Sequence, residues 1–300
     1  MASPRLSICI PAYKAERYLP ETLASLRAQT FTDWEVILIE DGSQDAVEAQ
    51  FQTFAAGDQQ PARFVRHEKN QGLPATRNTA VALAQAEWIV LLDSDDLWHR
   101  EHLSNLVAAA ERQPDAELVH AGSILFDSDT GRELELRAPS AEIRAAFPVS
   151  LFHGGYIIQP SSVMLKKSLW ARVGGFNPTF RYVEDREMWL RCARAGAVFA
   201  FTGANTCLYR KHATALSTHS AAMAEAAAAV FDQHLDWTAI PSAARLERAA
   251  AEWAAAGRLR QRSEPALAAR HFQRACRIRW RAVWWLRALA CRAYALAKKP

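Results

Sequence analysis

Three carboxylates within four positions form the most chemically distinctive stretch of the chain. Asp93, Asp95 and Asp96, with Ser94 among them, directly follow the apolar run 88–92. Carboxylates held this close repel one another unless a cation or an array of donors neutralises them. Hard oxygen ligands suit Mg²⁺ or Mn²⁺, and Mg²⁺ is usually held by one or two carboxylates together with substrate phosphates. The stretch therefore predicts a metal–diphosphate site.

The same acidic stretch has a second interpretation. Aspartate is favoured at helix N-termini, where it accepts backbone hydrogen bonds and complements the helix dipole. The pattern after the acids predicts a helix that starts near Trp98. Taken alone, these residues leave both interpretations open.

The elements that must position these acids follow from the apolar pattern. The run 88–92 predicts a strand buried on both faces, as in a parallel sheet, and the runs 6–10, 34–39 and 62–66 predict three more. Helical spacing predicts helices over 16–29, after Ser43 and over 73–86. Alternating strands and helices indicate a doubly wound α/β fold, in which ligands bind outside the carboxyl ends of the strands. The second strand also ends in an acidic sequence, Glu40-Asp41-Gly42-Ser43.

The second half of the chain continues the mixed pattern. Helices are predicted from His99 to Arg112 and from about Glu184, the latter with an apolar side formed by Met188 and Trp189. Separate strands are predicted at 117–121, 123–126, 163–165, 197–201 and 206–209. The acid-x-acid sequence 127–129 precedes turn residues, so we interpret it as a hairpin loop.

Composition sets limits on the kind of protein. The chain has 300 residues, of which 50% are hydrophobic and 23% are charged, so we expect an ordinary globular protein with one large domain or one domain with an appendage. We expect no signal peptide and no membrane-spanning segment, since no apolar run reaches about 18 residues. The five cysteines are odd in number and scattered. That usage favours a reducing cytoplasm over a disulfide framework.

The last part of the chain is basic and rich in tryptophan. From residue 258 to residue 300 there are twelve Lys or Arg residues and one acid, Glu264, interleaved with Trp280, Trp284 and Trp285. This combination predicts a helix that lies in a membrane interface. The alternative is a helix packed on the catalytic domain with its arginines in solvent. Binding of nucleic acid has no other support in the sequence.

Five motifs occur in one order along the chain: Ser7-Ile8-Cys9-Ile10-Pro11-Ala12-Tyr13, Gln29-Thr30-Phe31, Ile39-Glu40-Asp41-Gly42-Ser43, Asn70-Gln71-Gly72 with Ala75-Thr76-Arg77-Asn78, and Leu92-Asp93-Ser94-Asp95-Asp96. Together they make the chain resemble the family 2 glycosyltransferases, which have the GT-A fold. One departure is Lys14, where the family usually has Asn or a similar small polar residue.

The resemblance implies that a nucleotide-sugar lies across the ends of the first strands. Pro11 and Tyr13 would flank the base or ribose, and Asp41 would accept a hydrogen bond from uracil. The residues implied to bind the nucleotide-sugar are Pro11, Tyr13, Asp41, Arg77, Asp93 and Ser94. From the residues alone, a turn residue before Gly42 is the better interpretation of Asp41, and a solvated helix charge is the alternative for Arg77.

The resemblance also implies the metal ligands and the catalytic base. Asp95, Asp93 and His212 would hold Mg²⁺ or Mn²⁺ at the diphosphate, with Asp93-Ser94-Asp95 as the Asp-x-Asp motif. Asp185 would be the general base that takes the proton of the acceptor. The alternatives are a structural or exposed His212 and an Asp185 that only complements the dipole of its helix.

We therefore predict a GT-A-type α/β domain over residues 1–220, with a mostly parallel central sheet, and a helical, basic, Trp-rich region over 221–300. The predicted activity is that of an inverting, metal-dependent hexosyltransferase, which moves a sugar from a nucleotide donor, UDP-linked by preference, to an acceptor hydroxyl. The expected setting is synthesis of cell-surface polysaccharide or lipopolysaccharide, on a glycan or lipid-linked acceptor, in the cytoplasm or at the inner face of the membrane. The alternatives are a sugar-phosphate nucleotidyltransferase and a non-catalytic sugar- or partner-binding relative.

Overall fold

The computed structural model describes residues 3–57, 60–212 and 220–297. Strands and helices alternate in the N-terminal half, and helices alone make up the C-terminal part of the described chain. The strands are β1 (Leu6–Ala12), β2 (Trp34–Glu40), β3 (Ala62–Arg66), β4 (Trp88–Leu91), β5 (Leu97–Trp98), β6 (Leu118–Asp127), β7 (Glu133–Arg137), β8 (Val163–Lys166) and β9 (Phe199–Lys211). The helices are α1 (Leu19–Arg27), α2 (Val47–Ala56), α3 (Leu73–Leu83), α4 (His102–Arg112), α5 (Ala141–Ala145), α6 (Val149–His153), α7 (Lys167–Val173), α8 (Glu184–Arg194), α9 (Ser220–Asp232), α10 (Ser242–Arg260), α11 (Pro265–Ile278) and α12 (Ala282–Ala297).

The described strands form one mixed sheet in the order β3-β2-β1-β4-β8-β6-β9-β5, with β7 paired to β6. The first four neighbours, β3, β2, β1 and β4, are parallel. Every residue of β1 and β2 is buried, so helices or loops cover both faces of this part of the sheet, as the apolar runs predicted. The core around these strands includes Leu23 and Leu26 of α1 and Phe51 of α2.

The parallel register brings three loops to one edge of the sheet. Ala12 pairs with Glu40 at the ends of β1 and β2, and Cys9 pairs with Leu91 at the end of β4. The residues that follow each strand, among them Tyr13, Asp41 and Asp93, therefore leave the sheet on the same side.

The acidic stretch after β4 is not a helix N-terminus. The N–H of Asp96 donates to the carbonyl of Asp93 in a turn, at 3.1 Å. Trp98 then pairs with Cys207 as part of β5, and the next helix begins only at His102. The predicted helix start near Trp98 is therefore wrong, because antiparallel pairing with β9 holds the chain extended there.

Two pairs of predicted strands are each one long strand. Residues 118–127 form β6 and residues 199–211 form β9, and their parallel pairing shifts register on both sides of Gly122. A Cβ on Gly122 would lie 2.0 Å from Oδ1 of Asn205, so a larger residue here would require the Asn205 side chain to move. The hairpin predicted around residues 127–129 is confirmed, because β7 pairs with β6 in antiparallel orientation.

The chain divides into two compact units. The first contains the described residues up to Glu142 together with Tyr156–His212, and the second contains Ile143–Gly155 and the described residues from Ser220 onward. The predicted boundary at residue 220 did not foresee that the segment 143–155 belongs with the C-terminal helices. In the second unit, the Phe152 ring of α6 packs edge-on against Phe231 of α9, with ring centroids 5.0 Å apart. None of the helices in the described ranges is long and apolar enough to cross a membrane.

Candidate active site

A buried arginine connects the acidic turn after β4 to the start of α8. Nη2 of Arg77 donates to both carboxylate oxygens of Asp93, at 2.6 and 2.9 Å, and Nη1 donates to Oε1 of Glu184 at 2.6 Å. The Arg77 side chain is 1% exposed and lies 5.3 Å from the centre of the Phe176 ring. It is therefore not the solvated helix charge of the alternative interpretation, because two carboxylates engage both of its terminal nitrogens.

The electrostatics of this cluster are strongly perturbed. Burial raises the pKa of Glu184 to about 7, with the neighbouring Asp185 adding to the rise and Arg77 opposing it. Burial likewise raises the pKa of Asp93, again against Arg77 and with a contribution from Asp95. Burial alone would lower the pKa of Arg77, but Asp93 and Glu184 together raise it. The arginine is thus a fixed positive charge within a group of carboxylates.

Asp95 and His212 form a second contact at the same turn. Nε2 of His212 lies 2.9 Å from Oδ2 of Asp95, and the Asp95 side chain remains 34% exposed while that of His212 is 10% exposed. The ring of Tyr18 packs against the imidazole with centroids 4.7 Å apart. The imidazole nitrogen and the carboxylate oxygen thus face each other directly, beside a partly exposed aspartate.

A buried scaffold supports this turn from behind. The carboxylate of Asp96 is fully buried and accepts hydrogen bonds from Oγ of Ser161 at 2.6 Å and from the N–H of Arg210 at 2.9 Å. Burial raises the pKa of Asp96 well above its usual range, and Asp95 and Asp93 add to the rise. Nε of Arg210 donates to the carbonyl of Asp95, so this arginine holds the backbone of the turn.

The residues present fit a divalent ion held by two protein ligands and completed by substrate. No group of three or more His, Cys, Asp or Glu side chains in the described part of the chain is arranged to hold a metal. Adjacent ligand atoms of an octahedral ion with bonds near 2.1 Å lie about 3 Å apart, close to the 2.9 Å that separates His212 from Asp95. Asp93 was also predicted as a ligand, but both of its oxygens accept from Arg77. Of the three predicted ligands, Asp95 and His212 are therefore the pair that lie in direct contact.

The side chain of Asp41 organises the loop 67–72. Its carboxylate accepts hydrogen bonds from the backbone N–H groups of Gln71 and Gly72, at 2.9 and 2.8 Å, and contacts Nδ1 of His67 at 2.7 Å. The residue is 2% exposed. A carboxylate offers about four acceptor positions, so these contacts use three of them.

The remaining predicted nucleotide contacts differ in accessibility. Pro11 is buried inside β1, opposite Ile39, whereas Tyr13 is 47% exposed just beyond the strand end. Lys14 adopts a left-handed backbone conformation with φ 53°, which Asn tolerates better than most other non-glycine residues, so Asn is the usual residue there. Ser94 is half-buried, and its carbonyl accepts a hydrogen bond from Thr22.

Asp185 lies in the first turn of α8, next to Glu184. Its Oδ1 accepts a hydrogen bond from the N–H of Arg186 at 2.7 Å, and the residue is half-buried. The preceding Val183 has φ 54°, a conformation that costs a β-branched residue on the order of 1–3 kcal/mol. The apolar side of the helix, with Met188 and Trp189, is buried as predicted. Asp185 thus directly follows Val183, which has a strained backbone, and Glu184, whose buried carboxyl contacts Arg77.

The sequence did not predict the roles of three residues of this site. Glu184 is the partner of Arg77, and Ser161 and Asp96 form a buried hydrogen bond that supports the acidic turn. Glu184 lies 107 residues from Arg77, and no local pattern connects them. Asp96 carried a signal, since it is a third acid beyond the Asp-x-Asp motif, but only the fold shows that it is fully buried.

Comparison with known proteins identifies the family. The sequence model for glycosyl transferase family 2 matches residues 7–171, more than half of the chain, and the chain belongs to this family. The putative glycosyltransferase EpsE of Bacillus subtilis is 26% identical over 198 residues, which cover 65% of this chain and 69% of EpsE. The putative teichuronic acid biosynthesis glycosyltransferase TuaG of the same organism is 26% identical over 205 residues, which cover 68% of this chain and 77% of TuaG.

Solved structures of similar shape define the fold. A crystal structure of S. aureus TarS in complex with UDP-GlcNAc superposes with a TM-score of 0.70 at 15% identity and covers 91% of this chain and 81% of that one. The mannosyltransferase PcManGT of Pyrobaculum calidifontis, in complex with GDP-Man and Mn²⁺, gives a TM-score of 0.64 at 17% identity and covers 100% and 89%. The predicted GT-A-type α/β fold with C-terminal helices is therefore confirmed.

Proposed function

We propose that this protein is an inverting glycosyltransferase that uses a nucleotide-diphosphate sugar, UDP-linked by preference, and that Asp185 is its catalytic base. The observation that carries the proposal is the Arg77 bridge. It draws the acids after β4 and the first turn of α8 into one charged cluster. Transfer from a donor diphosphate to an acceptor hydroxyl needs two adjacent sets of groups. One set stabilises the leaving group, and the other acts as the base that takes the hydroxyl proton.

In this mechanism the acceptor hydroxyl approaches the anomeric carbon opposite to the nucleoside diphosphate. The carboxylate of Asp185 takes the hydroxyl proton while the new carbon–oxygen bond forms and the bond to the diphosphate oxygen breaks. The anomeric configuration inverts, because attack and departure occur on opposite faces. Arg77 and Glu184 position Asp93 and Asp185 and do not contact the reacting atoms.

A divalent ion, Mn²⁺ or Mg²⁺, held by Asp95 and His212 would offset the charge that grows on the departing diphosphate. Tyr13 offers an exposed ring on which a base would stack, and Asp41 would accept a hydrogen bond from a ring N–H of that base. Asp93 and Ser94 would border the ribose and the diphosphate. The relatives support the nucleotide class, since TarS was solved with UDP-GlcNAc and PcManGT with GDP-Man and Mn²⁺.

The setting belongs to the same proposal. The name of TuaG points to synthesis of a cell-surface polysaccharide, and we propose a glycan or lipid-linked acceptor and a cytoplasmic location for this chain. We further propose that residues up to about 220 suffice to build the donor site. A nucleotidyltransferase is not supported, because the family match defines a glycosyltransferase.

The donor-site prediction is tested by thermal shift. Nucleotide at about 100 times its Kd stabilises the bound fold by about 2.7 kcal/mol. UDP with Mn²⁺ should raise the melting temperature, GDP less so, and chelation of the metal should abolish the shift. Asp95→Asn should remove the metal-dependent part. The matched control is Asp129→Asn, in the exposed acid-x-acid hairpin, which should keep the full shift.

The base prediction is tested by the slow hydrolysis of UDP-sugar in the absence of acceptor. Asp185→Asn should lower UDP release by about 10²- to 10⁴-fold, while the UDP-induced thermal shift stays normal. Near-normal turnover in Asp185→Asn would place the base elsewhere. Nucleotide binding without turnover in the unaltered protein would instead favour the non-catalytic relative.

A further inference from the structure

The last described helix buries only a narrow face. Trp284, Ala288 and Cys291 of α12 pack into an apolar cluster that also includes Phe272 of α11 and Ala254 of α10. These three positions are spaced by four and three residues, so they lie on one side of the helix. These three are the buried residues of α12, so the helix is anchored without its other large apolar side chains.

The opposite side of α12 is apolar and exposed. At about 100° per residue, the outward side chains fall on one continuous arc of about half the circumference. Trp285, Leu286 and Leu296 on this arc are 49%, 58% and 68% exposed. Its other large side chains, all exposed, are Val283, Leu289 and Tyr294. In water this arrangement is unfavourable, since each large apolar side chain left exposed forgoes about 1.5–3 kcal/mol of burial.

Arginines border this arc on both sides. By the same helical geometry, Arg292 and Arg287 lie at its two edges, and α12 contains no acidic residue. The described residues from 220 onward carry twelve arginines against six Asp or Glu residues. An apolar arc with Trp and Tyr, edged by arginine, matches the interface of an anionic bilayer, where apolar groups enter below the headgroups and guanidinium groups meet lipid phosphates.

We propose that α12 is a membrane-docking helix, which lies in the plane of an anionic bilayer with Trp285, Leu289 and Leu286 inserted and Arg287 and Arg292 at headgroup level. Its 16 residues are too few to span the hydrocarbon core, and the arginines oppose deeper insertion. A second copy of the chain fits this face less well, because self-association would bring the bordering arginines together with no acid of α12 to offset them.

Flotation of the full chain with vesicles tests the proposal. The protein should float with vesicles that contain phosphatidylglycerol in phosphatidylcholine, and much less with phosphatidylcholine alone. Trp285→Ser combined with Leu289→Ser should weaken binding at least tenfold. The matched control is Leu134→Ser with Leu136→Ser, which removes two exposed leucines of β7 and should leave binding unchanged. Arg292→Gln should weaken binding about fivefold, on anionic vesicles only.

Each other outcome overturns the assignment. Equal binding by the Trp285/Leu289 variant, or an equal loss in the β7 control, would mean that α12 is not the docking element. Equal binding to neutral vesicles would remove the role of the arginines. Sedimentation equilibrium without lipid covers the remaining case, since a dimer that the Trp285/Leu289 variant abolishes, with no flotation, would assign the face to a second copy. Asp185→Asn should float normally, so this test is independent of the proposed chemistry.

Discussion

At the scale of single residues, the Arg77 bridge decides how the site is built. One guanidinium forms hydrogen bonds with Asp93 after β4 and with Glu184 at the start of α8. Breaking a buried pair of this kind is costly, because the remaining charge is left without compensation. The bridge therefore fixes Asp185 relative to the acidic turn, although Arg77 itself is withdrawn from the surface.

The raised pKa of Glu184 makes the stability of the protein depend on pH. The unfolded chain releases this proton near its ordinary pKa of 4.5, whereas the folded protein keeps it up to about pH 7. Stability contributed by this group is therefore complete below 4.5 and is lost as pH rises to about 7. Glu184→Gln should keep the hydrogen bond from Arg77, and its stability should not decrease in this way as pH rises. Urea unfolding of both proteins across this range should show the variant gaining relative stability as pH rises.

A constant difference between the two proteins at all pH values would contradict the raised pKa of Glu184. Asp129→Asn serves as the control for removal of a carboxylate charge, since that side chain is 82% exposed. Its stability relative to the unaltered protein should not change across the same range.

The sequence predicted the acidic residues of the site but not the side chains that they contact. Asp93, Asp95 and Asp185 were predicted from spacing and resemblance, because strand ends and helix starts carry recognisable local patterns. The Arg77–Glu184 pair was not predicted, since a contact across 107 residues depends on how the sheet and α8 pack. The nucleotide-binding role that the resemblance implies for Arg77 stays a prediction, although Asp93 and Glu184 accept hydrogen bonds from both of its terminal nitrogens.

At the scale of elements, the contact between the end of β2 and the loop 67–72 leaves no room at Gly42. Its φ is 73°, and a Cβ there would lie 2.8 Å from the backbone N of Asn70 and 2.8 Å from the carbonyl carbon of Lys69. The same loop supplies the N–H groups that bind Asp41. Any side chain at Gly42 must therefore displace the loop.

Gly42→Ala should destabilise the protein more than Gly131→Ala does. Both glycines have positive φ, so both variants lose about 1–2 kcal/mol from backbone conformation. Only Gly42→Ala adds overpacking, typically about 1–3 kcal/mol, because no atom lies within 4 Å of the corresponding position at Gly131. Urea unfolding measures the difference, and equal losses would show that the loop moves aside freely. Gly42→Ala should also weaken the UDP-induced thermal shift.

The elements themselves were largely predictable. The short strand 62–66 has the predicted bounds, because period and flanking residues agree there. The helix expected near Trp98 was wrong because a tertiary pairing, Trp98 with Cys207, overrides the local preference. The split strands at 117–126 and 197–209 were wrong because glycine interrupts the pattern without ending the strand.

At the scale of the whole molecule, the chain enters the second unit before the first is complete. Leu151 and Phe152 of α6 are buried, and Phe152 contacts the rings of Phe231 and Trp237 in the second unit. A chain that ends at residue 219 lacks those partners. It should aggregate and bind the dye ANS, because two large apolar side chains become exposed.

Leu151→Ser with Phe152→Ser in the same shortened chain should restore a monomer that binds little dye, and UDP with Mn²⁺ should still raise its melting temperature. Dye binding and light scattering measure the first effect. A shortened chain that is monomeric without these substitutions would show that α6 needs no cover from the C-terminal helices.

Residues 143–155 are synthesised well before the C-terminal helices that pack against them. Phe152 leaves the ribosome about 80 residues before Phe231, its ring partner. At about 5–20 residues per second, the α6 segment waits roughly 4 to 16 seconds for the chain that will cover it. During that interval the nascent polypeptide exposes an apolar segment that chaperones can bind. The yield of folded protein should therefore depend on chaperones more strongly than the stability of the folded protein alone would predict.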